Sequence, residues 1–225
     1  MRRTAVQSRP PREPGAALRA KTAKAFLIAK DSVANLLELL EESSHMAFLA
    51  IKDCERELDT IEREIDEELP AAITRVSERK ARELIASLRF ITDLERIGDL
   101  IWWIAQRLKN SKPKLQTRDT EALAGMARHI ASMLEAVHQG LLNGDTSMAQ
   151  AVIVRDRDID ELRQQVFRFH LDHKRQENTR ESIEILFMTQ ALERAGDHAT
   201  NLAEELIHLH EERSVRHLPK KTVER

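Results

Sequence analysis

The chain contains few of the residues that mark turns and cross-links. Its 225 residues include six glycines, six prolines, no tyrosine and one cysteine, Cys54. A β-protein of this length needs turn residues about every ten positions. This chain is too poor in them, so an all-β fold is excluded. A single cysteine excludes an intrachain disulfide and a thiolate zinc site, and it is typical of a reducing compartment.

Long apolar runs and a strong net charge are also missing. The longest apolar run, Leu100–Ala105, has six residues, whereas a helix needs about 20 to span a bilayer. The basic N-terminal residues are followed by no apolar stretch, so we expect no secretory signal. The formal net charge of −2 gives no electrostatic footprint for nucleic acid. These features predict a cytoplasmic helical protein that is at most peripheral to a membrane.

What the sequence does contain is helical periodicity. From Ala17 onward, apolar residues recur every three or four positions, and this spacing predicts amphipathic helices. Pro70 is predicted to end one helix and begin the next. The expected helices are at about 17–69, with a break near 42–45, and at about 71–110, 117–143, 145–175 and 178–213.

Two acidic motifs recur in the two halves of the chain. Glu95–Asp99 returns 98 positions later as Glu193–Asp197, and Glu55–Asp59 returns 101 positions later as Asp156–Asp160. Motifs that recur in the same order at nearly one spacing indicate a duplicated unit. The sequence therefore predicts an all-α fold of two tandem pseudo-repeated three-helix bundles. The predicted divisions are a disordered tail at 1–16, a first bundle at 17–110, a linker at 111–116, a second bundle at 117–213 and a C-terminal tail at 214–225.

Each recurring motif places two carboxylates four residues apart. Residues at this spacing share one helix face, where like charges repel, so we expect a compensating cation. Acidic pairs on facing helices would give an all-oxygen site that suits Mg²⁺, Mn²⁺, Ca²⁺ or iron better than copper or zinc. Gly98 and Gly196 fit close helix approach or space for a carboxylate, although common descent of the repeats would also explain them. The alternative is a salt-bridged surface neutralised by Arg56, Arg96, Arg157 and Arg194.

The motif regions resemble the PhoU family of phosphate-signalling proteins. Leu192–Glu204 is similar to the family signature almost residue for residue, Asp93–Asp99 also matches, and Val215–His217 resembles the family's usual ending. The resemblance extends over about residues 17–217. It implies multinuclear metal clusters, often of iron, with manganese, magnesium or zinc as alternatives. It also implies a homodimeric, non-catalytic regulator whose partners are the ATPase of the phosphate importer and a phosphate-sensing histidine kinase.

The resemblance implies one metal site in each half. The first half departs from the family pattern, because Trp103 stands where the second half has Asn201, and Gln106 stands where it has Glu204. We therefore expect a first site that is smaller, differently loaded or absent, and a second site that binds metal more tightly. The implied ligands are Glu55, Asp59, Glu95 and Asp99 in the first half, and Asp156, Asp160, Glu193 and Asp197 in the second.

Two other interpretations stay open. Glu-x-x-His spacings occur at 42/45, 135/138 and 205/208, and such pairs chelate iron in ferritin-like proteins, so a di-iron carboxylate enzyme or metal store is one alternative. A plain helical adaptor whose acids form salt bridges is the other. The sequence has no glycine-rich phosphate loop, Ser–His–Asp order or His-Glu-x-x-His motif, which favours a regulator over an enzyme.

Overall fold

The computed structural model describes residues 15–110, 115–172 and 179–211, and every regular element within these ranges is an α-helix. None of these helices is both long enough and apolar enough to cross a membrane. Val215–His217 and nearly all of the predicted tails and linker lie outside the described residues. The helices are α1 (Ala16–Glu42), α2 (His45–Ile73), α3 (Glu78–Asn110), α4 (Thr117–Asn143), α5 (Thr146–Asp172) and α6 (Thr179–Glu211).

The six helices pack as two groups of three. Helices α1, α2 and α3 all contact one another, and so do α4, α5 and α6, while α1–α4 and α3–α6 contacts join the two groups. The third helix of each group buries the predicted apolar stripe, which includes Leu94 and Ile97 in α3 and Leu192 and Leu202 in α6. The predicted fold class, two tandem three-helix bundles, is confirmed.

Two helix ends test the boundaries that the sequence predicts. The break near 42–45 is confirmed: Ser43 has a left-handed backbone (φ 57°), and the Ser44 hydroxyl accepts a hydrogen bond from the Ala47 amide at 3.2 Å. The boundary at Pro70 is wrong, because α2 continues to Ile73 and α3 begins only at Glu78. A proline in the last turn of a helix removes one backbone hydrogen bond, and few further bonds remain there to be lost.

Gly98 and Gly196 allow close contact between the second and third helices of each half. A β-carbon at Gly98 would lie 2.6 Å from Leu58 Cδ1, and one at Gly196 would lie 2.7 Å from Ile159 Cδ1. Both distances are shorter than van der Waals contact, so glycine lets α3 approach α2 and lets α6 approach α5. Close approach is therefore confirmed as one role of these glycines, and it brings the acidic motifs of facing helices together.

Candidate metal centre

Three of the four predicted ligands of the first half form a cluster. Glu55 and Asp59 lie one turn apart on α2, and Asp99 approaches them from α3. One carboxylate oxygen from each residue lies within 4.8 Å of the others. Asp59 is exposed, while Glu55 and Asp99 are half-buried. The arrangement offers three hard oxygen donors from two helices, which is the donor chemistry that iron, manganese and magnesium accept.

Glu95, the fourth predicted ligand of this half, is a buried carboxyl beside the cluster. Its side chain is on the core side of α3, and the residue is only 8% exposed. The Oε2 atom has no hydrogen-bond partner among the described residues; Arg96 Nε lies 3.4 Å away without hydrogen-bond alignment. Burial, followed by the charges of Asp99 and Glu62, raises the pKa of Glu95 to about 7. This carboxyl therefore either holds a proton or needs a nearby cation at neutral pH.

Glu62, which was not among the predicted ligands, belongs to the same acidic face. Burial raises its pKa, and the nearby charges of Asp66 and Asp59 add to the effect, although the Thr92 hydroxyl and Arg96 oppose it. The pKa of Glu55 is raised too, by burial and then by Asp59 and Asp99. The sequence does contain a signal for Glu62, because it continues the row of acids along α2 with helical spacing.

Arginines neutralise this face only in part. Arg96 lies 3.4 Å from an oxygen of Asp99 and 3.4 Å from one of Glu95, longer than the 2.7–2.9 Å of a strong charge-assisted hydrogen bond. The charge of Arg56 lowers the pKa of Glu55, but burial and the two neighbouring aspartates outweigh it. Of the salt-bridged surface that the sequence offered as an alternative, the Arg96 contacts are therefore present in this half, but they leave excess negative charge.

The corresponding acids of the second half lie on facing helices, α5 and α6. Glu193 is half-buried and accepts a hydrogen bond from the Gln190 amide, Asp160 is half-buried, and Asp197 is exposed. The side chain of Asp156 lies outside the part of the chain that the structure describes. Among the side chains described in this half, no three possible ligands form a cluster. The second site and its relative affinity stay a prediction.

Asn201 and His198, which follow the Glu193–Asp197 motif on α6, contact the first half of the molecule. The Asn201 amide donates to Asp93 Oδ1 at 3.2 Å, and His198 Nδ1 lies 2.8 Å from the same oxygen. Asp93 is on α3, so this α6 face contacts the other half of the molecule. The amide nitrogen of Asn201 therefore lies at the seam between the halves, and any part of this residue in the second metal site stays a prediction.

Trp103, the first-half counterpart of Asn201, also lies at the seam between α3 and α6. The Arg107 guanidinium stacks 3.2 Å from the centre of its ring, and Trp103 and Gln106 line a cleft with Phe187 of α6. Trp102 lines the same cleft and packs against Phe48 at a ring distance of 5.2 Å. The two departures from the family pattern therefore lie at the seam between the halves, in a cleft that Asp99 of the acidic cluster also lines.

The Glu-x-x-His pairs and Cys54 make other contacts. Glu42 and His45 fall on either side of the break between α1 and α2. Glu135 pairs with Lys30, and both oxygens of Glu205 accept hydrogen bonds from Arg89, at 3.0 and 3.1 Å. No such pair belongs to a group of three possible ligands within the described ranges. Burial raises the pKa of Cys54 to about 11, so its thiol is protonated at neutral pH.

Comparisons with known proteins place the chain in a family. A family model described as "PhoU domain" matches residues 22–108 and 123–206. The accessory protein PhoU homolog 1 of Thermotoga maritima is 27% identical over 85% of this chain and 85% of its own length. A PhoU homolog of Burkholderia sp. is 30% identical over 85% of this chain and 84% of its own.

Comparison with solved structures agrees on the fold. The crystal structure of PhoU from Pseudomonas aeruginosa superposes with a TM-score of 0.81 at 20% identity, and the match covers 88% of this chain and 97% of that one. There is one matched region in each half, and each region contains both acidic motifs of its half. The chain belongs to the PhoU family.

Proposed function

We propose that this protein is a regulatory accessory protein of phosphate uptake that acts in the cytoplasm through protein contacts. Family membership supports the proposal, as do the relatives from Thermotoga and Burkholderia, whose names describe accessory proteins of a phosphate-specific transport system. The alignments cover 85% and 84% of those two relatives. The partners would be the ATPase of the phosphate importer and a phosphate-sensing histidine kinase. The protein would act as a homodimer and without catalysing a reaction.

Metal binding is the second part of the proposal, and the acidic cluster of the first half carries it. Glu55, Asp59 and Asp99 converge beside the buried carboxyl of Glu95, so a bound cation would relieve their repulsion and join α2 to α3. The donors suit a multinuclear iron cluster, or manganese or magnesium, and suit zinc less well. The repeat supports a second ligand set of Asp156, Asp160, Glu193 and Asp197.

Elemental analysis of protein purified without chelator tests the metal site. We expect iron or manganese to copurify with the wild type, at more than one metal ion for each site if the clusters are multinuclear. Anomalous scattering at the iron and zinc edges would then place the metal next to Asp99. Protein that remains metal-free after incubation with iron, manganese, magnesium and zinc would contradict the metal site and favour the plain helical adaptor.

A deletion strain tests the regulatory role. Loss of a restraining regulator should leave phosphate uptake and starvation genes active when phosphate is plentiful. Plasmid-borne wild type should restore repression, and so should Glu121→Gln, which changes an exposed acid of α4 outside both motifs. The double variant Glu193→Ala with Asp197→Ala should complement less well. Normal repression in the deletion strain, in a genome without a paralogue, would contradict the regulatory proposal.

A further inference from the structure

The seam cleft is the space between α3 and α6 that Trp103, Gln106 and Phe187 line, and its volume is about 500 Å³. This volume is in the range of small-molecule sites, about 300–1,000 Å³. Its walls come from α3 of the first half and α6 of the second, so a molecule held there would contact both halves. Asp99 is the one predicted metal ligand that lines it, and nothing in the proposed function uses it.

Aromatic side chains give the seam cleft flat apolar walls. Trp102 and Trp103 line it from α3, and both are only half-buried. Phe187 lines it from α6, is 55% exposed and makes no ring contact with the described residues. A planar ring that stacks on these side chains would cover aromatic surface that now faces water. Nucleic-acid bases stack on exposed aromatic side chains in this way.

Arg194 supplies a positive charge to the same cleft. It is exposed and lies between Glu193 and Asp197 of the second acidic motif. Among the described side chains, however, Arg194 forms no ion pair with these or any other acids, and it lines the cleft instead. A guanidinium group presents a planar fork of donors that matches a phosphate group. Arg194 is therefore available to hold an anion.

The acidic cluster contributes only one carboxylate to the seam cleft. Asp99 lines it, but Glu55 and Asp59 do not. Arg96 also lines the cleft, and its guanidinium lies 3.4 Å from an Asp99 oxygen. The lining thus carries two guanidinium groups and one carboxylate. The charge of Asp99 is partly offset on the α3 side, and the positive charge that has no partner is on the α6 side, at Arg194.

Two polar side chains of the cleft could hydrogen-bond to the edge of a ring. His198 Nδ1 lies 2.8 Å from Asp93 Oδ1, and because an ionised carboxylate only accepts, Nδ1 carries the proton. In the neutral ring, Nε2 then keeps its lone pair and can accept a hydrogen bond. The exposed Gln106 amide can both donate and accept. Both residues line the cleft. A heteroaromatic ring would use these groups, whereas a hydrocarbon ring would not.

We propose that the seam cleft binds a nucleoside phosphate, with its base on the aromatic walls and its phosphate on Arg194. The aromatic walls select for a planar ring, and the guanidinium group selects for a negative charge. A ligand held there would contact α3 and α6 at once, so it would also stabilise the seam between the two halves.

Tryptophan fluorescence tests the site in the full chain. Both tryptophans of the chain line the cleft, so no tryptophan elsewhere contributes to the signal. The titration uses adenosine monophosphate in the presence of chelator, which removes any metal that could hold the phosphate. Adenosine, which lacks the phosphate, and ribose phosphate, which lacks the base, are the matched comparisons.

We expect a saturable change in emission with adenosine monophosphate, and each comparison compound to bind at least about tenfold more weakly. Absence of binding, or equal binding of adenosine, would overturn the proposal. Binding that requires added metal would also overturn it, because the phosphate would then belong to the metal centre.

Variants of the two walls test the two parts of the recognition separately. Arg194→Gln should weaken binding of adenosine monophosphate about tenfold and leave adenosine binding unchanged. Phe187→Leu changes an exposed side chain and should weaken binding of both compounds. Arg168→Gln, an exposed arginine of α5 outside the cleft, is the control and should change neither. If Arg194→Gln or Phe187→Leu binds adenosine monophosphate as tightly as this control in a folded protein, the assignment is wrong.

Discussion

The two halves pack alike but balance their charge differently. The contacts of Gly98 with Leu58 and of Gly196 with Ile159 set the register of the repeat. In that register, the position of Glu62 in α2 is taken by Arg163 in α5, and the position of Asp66 is taken by Phe167. The Arg163 guanidinium lies 5.4 Å from the centre of the Phe167 ring.

From this difference we expect the first half to depend more on an external cation. Its acids continue along α2 without a basic residue in the row, and the pKa values of Glu55, Glu62 and Glu95 are all raised. The second half carries its own cation, Arg163, in the matching place. Because the affinity of oxygen-donor sites rises with the number of charged ligands, we expect the first half to bind metal more strongly.

This expectation is the opposite of the one based on Trp103 and Gln106, and metal content distinguishes the two with the largest expected effect. Asp99→Asn keeps the side-chain shape but removes the carboxylate that α3 contributes, so it should remove roughly half or more of the bound metal. Asp197→Asn should remove less. Elemental analysis per chain measures both, with Glu121→Gln as the control. A larger loss in Asp197→Asn would reverse the comparison between the halves.

Metal removal should also lower stability, and mainly through the first half. A metal that binds only the folded chain would stabilise it by about 2.7 kcal/mol at a free concentration 100 times its Kd. Thermal melts of wild type with metal and with chelator should therefore differ. In Asp99→Asn most of this difference should disappear, whereas Asp197→Asn should retain it. Equal melts of metal-loaded and chelated wild type would show that metal contributes nothing to the fold.

Valine at the motif glycines should disturb both halves equally. Because a β-carbon already comes within 2.7 Å of Leu58 or Ile159, Gly98→Val and Gly196→Val should each lower the free energy of unfolding by about 2 kcal/mol. Gly125→Val is the matched control, because a β-carbon there meets only Leu162 Cδ1, at 3.7 Å. Urea unfolding measures all three. If Gly125→Val loses as much unfolding free energy as the other two variants, the loss is due to the β-branched side chain and not to the close helix spacing.

The smallest expected effect is a change in pH dependence. The pKa of Glu95 is about 7 in the metal-free fold and 4.5 in a free side chain, so its contribution to stability is complete below pH 4.5 and is lost as the pH rises to 7. Glu95→Gln should reduce that loss by about 1 kcal/mol. The reduction is smaller than the full pKa difference implies, because neighbouring carboxyls share the proton. Glu193→Gln, at a half-buried position, should change it less. The measurement is the melting temperature of chelated protein between pH 5 and 8. Equal slopes of melting temperature against pH for wild type and Glu95→Gln would show that the buried carboxyl is unimportant.

The helices and the α2 acids of the first cluster could be predicted because both depend on local spacing. The break at Ser43 and Ser44 follows from the apolar pattern of two successive helices, and Glu55 and Asp59 share a face by virtue of their four-residue separation. That Asp99 joins them was implied by the resemblance to the PhoU family and not by spacing. The end of α2 was mispredicted because Pro70 falls in a last turn, where its effect on the helix is small.

The contacts of Asn201 and Glu62 show what local spacing does not contain. Asn201 bonds to Asp93 because of how α6 packs on α3, a contact between residues more than 100 positions apart. No periodicity within α6 specifies which neighbour that face will meet. Glu62 was omitted for the opposite reason: the prediction required an acidic equivalent in the other half, and Arg163 stands there.

The position of Asp93 on α3 makes that helix a mechanical link between the halves. Asp93 bonds to α6, while Glu95, two residues later and about 200° round the helix, lies next to the acidic cluster beside α2. Over so short a stretch, the geometry of the α-helix fixes the angle between these side-chain directions. Any rotation of α3 that brings Glu95 and Asp99 closer to α2 must therefore move Asp93 relative to His198 and Asn201, so the spacing of the acids and the alignment of the two bundles cannot be adjusted independently.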